Sequence, residues 1–88
     1  MKFKLTTDKY GDKRWRLPSG DLHREDGPAC EYVNGSRHWY INGKHHREDG
    51  PAIELRNGTK YWFLNGIEYS EQEYKYEMRS RKLTELLK

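Results

Sequence analysis

Short segments with strand-type residues recur along the chain, and turn signals separate them. Two aromatic segments, Trp-Tyr-Ile at 39–41 and Trp-Phe-Leu at 62–64, are each followed by Asn-Gly. A period of two predicts β-strands, and Asn-Gly between strands is the strongest short-range signal for a hairpin. We therefore expect a meander of short antiparallel strands.

The same pattern occurs twice, which indicates a repeat architecture. The sequence His-Arg-Glu-Asp-Gly-Pro-Ala stands at 23–29 and again at 46–52, an offset of 23 residues. The match at this offset continues as far as Trp39 and Trp62. Self-similarity at a period of roughly 20–50 residues is typical of stacked structural units. The expected segments of this single domain, 1–88, are a degenerate N-terminal repeat (1–22), repeat 1 (23–45), repeat 2 (46–69) and a C-terminal helix (70–88).

Turn length decides which residues face each other in each hairpin. If Asn34-Gly35 is a two-residue turn, Cys30 lies opposite Trp39. The other pairs expected on this basis are Tyr32 with Arg37, Ile53 with Trp62, and Leu55 with Lys60.

Alternation then predicts two different sheet faces. The expected core face carries Trp15, Leu17, Trp39, Ile41, Trp62 and Leu64. The opposite face is expected to be half solvated, with Glu31 opposite His38, Glu54 opposite Tyr61, and the aromatics Tyr40 and Phe63.

The C-terminal segment changes to a helical pattern. Ser70-Glu71-Gln72-Glu73 has the form of a capping box, and a helix is expected from about Glu71 to Leu87. Its late leucines, Leu83, Leu86 and Leu87, suggest a possible homodimer contact. The predicted fold class is therefore mainly β, an antiparallel meander of stacked hairpins with one C-terminal helix.

Composition narrows the class of protein. Hydrophobic residues make up 33% and charged residues 35%, a balance close to disordered chains, but three Trp, seven Tyr and two Phe supply enough apolar area for a core. The net charge of +3 allows an acidic partner, and the excess lies mainly in residues 1–22. A single cysteine and the lack of a long apolar run predict a cytoplasmic protein with no membrane segment.

A family resemblance follows from the repeated motif. The run Leu22-His23-Arg24-Glu25-Asp26-Gly27-Pro28-Ala29, followed by Asn-Gly, an aromatic strand and a second Asn-Gly, resembles small repeat proteins of tailed phages and large DNA viruses. It is similar to a variant of the MORN repeat over about residues 20–75, although standard MORN units carry His-Gly at this place. The resemblance implies a single-sheet scaffold that acts on host machinery or a host defence system.

The repeated motif is interpreted as a structural turn rather than a catalytic or metal site. Its residues are His23, Arg24, Asp26, His46, Arg47 and Asp49. The aspartates are expected to cap the Gly-Pro turn, and the arginines to pair with Glu or Asp. Equivalent residues should lie two strands apart, about 9–10 Å at about 4.8 Å per strand, too far to share one zinc ion. His38, His45 and His46 could form a small histidine cluster, but no cysteine pair or carboxylate stands at a known ligand spacing beside them. We therefore expect no metal, no cofactor and no catalytic residue, and Cys30 should pack on Trp39 as a small apolar group.

The basic residues and nearby aromatics suggest contact with RNA or single-stranded nucleic acid. The candidates are Lys9, Lys13, Arg14, Arg16, Arg37, Lys60, Tyr40, Arg79, Arg81 and Lys82. Glu31 and Glu54, expected beside Tyr40, would repel phosphate. The preferred hypothesis is a non-enzymatic RNA-binding protein that inhibits a host or defence factor acting on nucleic acid. The alternative is an inhibitor or adaptor that binds only a host protein, through the sheet face or an edge strand.

Overall fold

The computed structural model describes residues 4–86. Short strands dominate, and one helix closes the described chain. The elements are β1 (Lys4–Thr7), β2 (Lys13–Arg16), β3 (Cys30–Glu31), β4 (Arg37–His38), β5 (Tyr40–Ile41), β6 (Lys44–His45), β7 (Ile53–Glu54), β8 (Lys60–Leu64), β9 (Ile67–Tyr69) and α1 (Glu71–Leu86).

The strands form an antiparallel meander. One sheet has the order β1-β2-β3-β4-β7-β8-β9, and β5 with β6 makes a separate two-stranded ladder between β4 and β7 in the chain. The molecule measures 47 × 34 × 17 Å, which is the shape of a thin slab. The predicted fold class, an antiparallel β-meander with one C-terminal helix, is confirmed.

The second Asn-Gly of each repeat makes the two-residue turn expected from the sequence. Asn42 has φ 51° and Gly43 has φ 80°, so both central residues are left-handed, as a type I′ turn requires. Ile41 consequently lies opposite Lys44. The turn at Asn65-Gly66 repeats this geometry.

The first Asn-Gly of each repeat behaves differently, and the predicted register is wrong there. The Gly35 N–H donates to the Tyr32 carbonyl at 2.9 Å, and Gly35 has φ 97°. This closes a three-residue loop, Val33-Asn34-Gly35, in which a type I turn is followed by a left-handed glycine. The pairing moves by one residue, so Cys30 lies opposite His38 and not Trp39.

Repeat 2 shows the same one-residue shift. Ile53 lies opposite Tyr61 and not Trp62, and Leu55 hydrogen-bonds across the loop to Thr59 and not to Lys60. Neighbouring residues of a strand point to opposite faces of the sheet. A shift of one residue therefore moves Cys30 and Ile53 to the face opposite to that of Trp39 and Trp62. The glutamates are affected too, because Glu31 is opposite Arg37, and Glu54 is opposite Lys60.

The two faces of the sheet are therefore defined by different residues. The Trp face carries Trp15, Trp39 and Trp62, and the row of Lys13, Glu31, Arg37, Glu54 and Lys60. The ring face carries Tyr32, His38, Tyr40, His45 and Phe63, together with Cys30, Ile53 and Tyr61.

The core is small and spread along the sheet, and the helix seals one end of it. Ala29, Cys30, Ala52, Leu64 and Tyr74 are the buried apolar residues of the described chain. Helix α1 lies against the Trp face, where the Tyr74 ring centroid is 4.9 Å from that of Trp62.

The helix begins at the predicted capping box. The Glu73 carboxylate accepts the Ser70 N–H at 2.9 Å, and the Ser70 hydroxyl accepts the Glu73 N–H at 3.1 Å. Leu83 is 54% exposed and Leu86 is 75% exposed. Leu87, expected as the helix end and as a dimer contact, lies outside the described residues.

Candidate binding face

The repeated His-Arg-Glu-Asp loop is built around its arginine. In the first copy, Arg24 Nε donates to Asp26 at 3.0 Å, and its Nη1 donates to Glu31 at 2.8 Å and to the Pro28 carbonyl at 3.2 Å. The guanidinium carbon lies 3.9 Å from the centre of the Trp15 ring. One arginine thus closes its own loop, ties it to β3 and covers a tryptophan of β2.

The second copy repeats these contacts. Arg47 donates to Asp49 at 2.9 Å, to Pro51 at 3.0 Å and to Glu54 at 3.3 Å, and lies 3.8 Å from the Trp39 ring centre. Both aspartates, which were expected to cap the turn, accept hydrogen bonds from their arginine.

The histidines of the motif link each loop to the next type I′ turn. Nδ1 of His23 accepts the Asn42 N–H at 2.9 Å, and Nδ1 of His46 accepts the Asn65 N–H at 2.9 Å. His23 is buried, with 5% of its surface exposed. The motif histidines thus hold successive hairpins together through hydrogen bonds to the backbone.

The ring face carries a continuous row of half-exposed rings. The ring centroids of Tyr32 and His38 are 5.3 Å apart, and those of His38 and His45 are 5.6 Å apart. The His45 ring then lies 4.1 Å from Tyr40 and 4.9 Å from Phe63. Each ring retains intermediate exposure, and α1 packs on the opposite face.

Positive charge lies at one end of this row. The Arg14 guanidinium is 5.5 Å from the Tyr32 ring centre and donates to Asp8 at 3.1 Å. Arg16 donates to the uncharged hydroxyl of Thr6 at 3.4 Å and lies opposite Lys4. At the other end, Glu68 is opposite Phe63.

Burial determines the protonation of the central rings. Burial lowers the pKa of His38, and burial followed by the neighbouring His38 lowers the pKa of His45. Both imidazoles are therefore uncharged at pH 7. Burial also raises the pKa of the Cys30 thiol, which lies opposite both Arg14 and His38. Cys30 was expected to pack on Trp39, but the corrected register places it on the ring face.

The residues predicted to bind nucleic acid do not share one surface. Arg14, Arg16 and Tyr40 lie on the ring face, and Lys13, Arg37 and Lys60 lie on the Trp face. Lys9 is in the β1–β2 turn, and Arg79, Arg81 and Lys82 are on α1, where Arg81 pairs with Glu77 at 3.0 Å.

The sequence-based prediction missed several residues of the ring face. Tyr32, His38, His45 and Lys4 were not proposed as a group. The available signal was alternation, because His38 and Tyr40 are two residues apart in one strand segment, but the incorrect register obscured it.

Comparisons with known proteins do not identify a family. No family model, no curated protein and no solved structure matches this chain. The phage and MORN resemblance therefore remains a prediction. Within residues 4–86, no helix has the length and apolar content that a membrane crossing requires.

Proposed function

We propose that the protein binds single-stranded RNA on the ring face, without catalysis. The observation that carries the proposal is the row of five partly exposed rings on one sheet face, with Arg14 and Arg16 at one end. Unpaired bases stack on aromatic and imidazole rings, and cationic side chains track the phosphates. A sheet that presents aromatic rings is one of the common solutions for this task.

The register of the hairpins removes the main objection to this function. Glu31 and Glu54 were expected beside Tyr40, where they would repel phosphate. They lie instead on the Trp face, where they accept hydrogen bonds from Arg24 and Arg47. The ring face thus combines neutral stacking surface with a basic end at Arg14 and Arg16, while Glu68 lies at the far end beside Phe63. This distribution favours a polyanion with exposed bases whose phosphates lie toward the basic end.

The first test removes stacking surface while keeping apolar volume. Phe63→Leu and Tyr40→Leu should each weaken binding to a labelled single-stranded RNA about 5- to 150-fold, because stacking contributes about 1–3 kcal/mol per base. Fluorescence anisotropy measures the affinity. Tyr76→Leu is the matched control, because Tyr76 is 73% exposed on α1, away from the ring row. Equal losses in all three variants would overturn the proposal.

The second test separates the two faces by charge. Arg16→Gln on the ring face should weaken RNA binding and reduce the salt dependence, by about 0.7 in the log–log slope for each lost phosphate contact. Lys60→Gln removes a cation from the Trp face and should leave the slope unchanged. If Lys60→Gln lowers the slope and Arg16→Gln does not, the phosphates contact the Trp face, and the proposal that RNA binds the ring face is overturned.

A protein target is the second candidate function. It is favoured by the edge strand β1, where Leu5 is 51% exposed and one side of the backbone has no neighbouring strand in the described sheet. Such a complex should form with defined stoichiometry and little salt dependence. In the setting implied by the resemblance, either mode of binding would let the protein inhibit a host or defence factor.

A further inference from the structure

We propose that His38 and His45 form a two-histidine site for a divalent transition-metal ion, with Zn²⁺ and Cu²⁺ as the best-matched ions. Nδ1 of His38 and Nε2 of His45 face each other at 3.4 Å. The sequence offers His38, His45 and His46 as a small histidine cluster but predicts no metal there, because no cysteine pair or carboxylate stands at a known ligand spacing. The two histidines belong to the row of rings proposed for RNA, but the metal site is inferred from their geometry and does not depend on RNA binding.

The separation of the two nitrogens fits a shared metal better than a direct hydrogen bond. N–H···O and N–H···N contacts in proteins are commonly about 2.7–3.2 Å long, so 3.4 Å is long for such a contact. Two nitrogens bound to one tetrahedral zinc ion, each at about 2.0–2.1 Å, lie about 3.3–3.4 Å apart. A metal ion placed between the two rings therefore needs little movement of either side chain.

Neighbouring strands and rings hold both ligands in place. His38 lies in β4 between Cys30 and Ile53, and the Tyr32 ring meets its edge at 5.3 Å. His45 lies in β6, with its ring against Tyr40 on one β-ladder and Phe63 on another strand. Ligands fixed in this way lose little conformational entropy when they bind a metal.

The protonation of the pair also suits a metal. Burial keeps both imidazoles uncharged at pH 7, so a ring nitrogen lone pair is available without proton release. The charged groups on the same face are Lys4, Arg14, Arg16 and Glu68. Arg14 pairs with Asp8, and Glu68 lies opposite Phe63. Neutral imidazole is a ligand for zinc, copper and nickel, and a poor one for Mg²⁺ and Ca²⁺.

The site has two protein ligands and is completed by solvent. Nowhere in residues 4–86 do three or more His, Cys, Asp or Glu side chains converge as a metal ligand set. Affinity should therefore be modest and should follow the general order in which Cu²⁺ exceeds both Ni²⁺ and Zn²⁺. Magnesium should not bind.

Metal titration of the full chain without RNA tests the site. Calorimetry with ZnCl₂ and CuCl₂ should give one saturable site per chain. His38→Gln and His45→Gln should each weaken it by more than about tenfold, since losing even a partner of a metal ligand commonly costs 10- to 100-fold. The matched control is Glu48→Gln, because Glu48 accepts from or pairs with His46 at 3.0 Å and offers the competing histidine site.

A second measurement keeps the test valid if a variant folds poorly. In NMR spectra of the unmodified protein, added Zn²⁺ should shift the ring signals of His38 and His45 and leave those of His23 and His46 in place. Unchanged affinity in both glutamine variants, a loss in Glu48→Gln alone, or shifts at His46 would each overturn the proposal. RNA affinity is measured separately with chelator present, so failure of one proposal leaves the other standing.

Discussion

The two faces of the sheet differ in how their aromatic rings are covered. On the Trp face every tryptophan has a partner across it: Arg24 covers Trp15, Arg47 covers Trp39, and Tyr74 lies against Trp62. On the ring face the rings contact one another and keep part of their surface exposed. Both sets of rings have intermediate exposure. The difference lies in their partners, because residues of loops and of α1 cover the tryptophans, whereas the rings of the ring face contact one another.

Comparison of equivalent positions in the two repeats also distinguishes the two faces. On the Trp face, Trp39 and Trp62 are identical, as are Glu31 and Glu54, and Arg37/Lys60 and Ile41/Leu64 are conservative differences. On the ring face, equivalent positions all differ: Cys30/Ile53, Tyr32/Leu55, His38/Tyr61, Tyr40/Phe63 and His45/Glu68. The repeats are therefore more alike on the Trp face, where Glu31 and Glu54 accept hydrogen bonds from the repeated arginines, than on the ring face.

The largest loss of stability is expected from removing an arginine that covers a tryptophan of the Trp face. Arg47→Ala removes three hydrogen bonds and the cation–π contact with Trp39, and leaves Glu54 without its closest cation. We expect a loss of about 2–4 kcal/mol in the free energy of unfolding. In a domain of this size the melting temperature should fall by about 10–30 °C, measurable by circular dichroism.

Arg37→Ala is the matched control on the same face. The Arg37 side chain is 57% exposed, and its Nη1 is 3.9 Å from Glu54. An exposed pair of this kind contributes little, so the change should stay within about 0.5 kcal/mol. If the two variants lose equal stability, simple loss of positive charge explains the effect and the covering of Trp39 does not.

The sequence was sufficient for the fold but not for the register. Asn-Gly signals placed the hairpins, and the capping box placed the start of α1. The same dipeptide, however, fits both a two-residue type I′ turn and a three-residue loop ending in a left-handed glycine. Long-range contacts accompany the three-residue loops: the Val33 N–H donates to Asp12 at 2.9 Å, and the Arg56 N–H donates to Ser36 at 3.1 Å. These contacts join residues 21 and 20 positions apart in the chain, so a local sequence pattern does not predict them.

The candidate site was less accessible to sequence reasoning than the fold. Basic residues could be counted, but their division between two faces depends on the register. The stacking of Arg24 on Trp15 joins residues nine positions apart through a loop whose path is not readable from composition. The closeness of His38 and His45 likewise depends on the type I′ turn that folds β6 back onto β5.

An intermediate effect is expected at the turn that sets the register. Gly35 has φ 97°, and a Cβ added there would have no atom within 4 Å. Gly35→Ala therefore tests backbone conformation alone, and should cost about 1–2 kcal/mol in the free energy of unfolding. Urea unfolding provides the measurement.

Gly35→Asn is the control for this turn. Asparagine tolerates left-handed backbone better than alanine, so it should recover part of the lost stability. Equal loss in both variants would mean that the left-handed conformation of residue 35 does not determine the energy of this loop. The RNA affinity proposed for the ring face should be retained in the folded fraction, because the register still places His38 opposite Cys30.

The smallest effect is expected at the start of α1, which covers Trp62 through Tyr74. Ser70→Ala removes the hydroxyl that accepts the Glu73 N–H and should lower the free energy of unfolding by about 0.5–1 kcal/mol.

The N–H of Ser70 donates to the Glu73 carboxylate and keeps the pKa of Glu73 below its ordinary value of 4.5. A carboxyl whose pKa is lower in the folded state stabilises the fold above the unfolded pKa, and this stabilisation is lost as pH falls through the folded pKa. Stability measured between pH 6 and pH 3 should therefore decline less steeply in Glu73→Gln than in the unmodified protein. An unchanged pH profile would show that the capping box does not link the helix, and its cover over Trp62, to the protonation of Glu73.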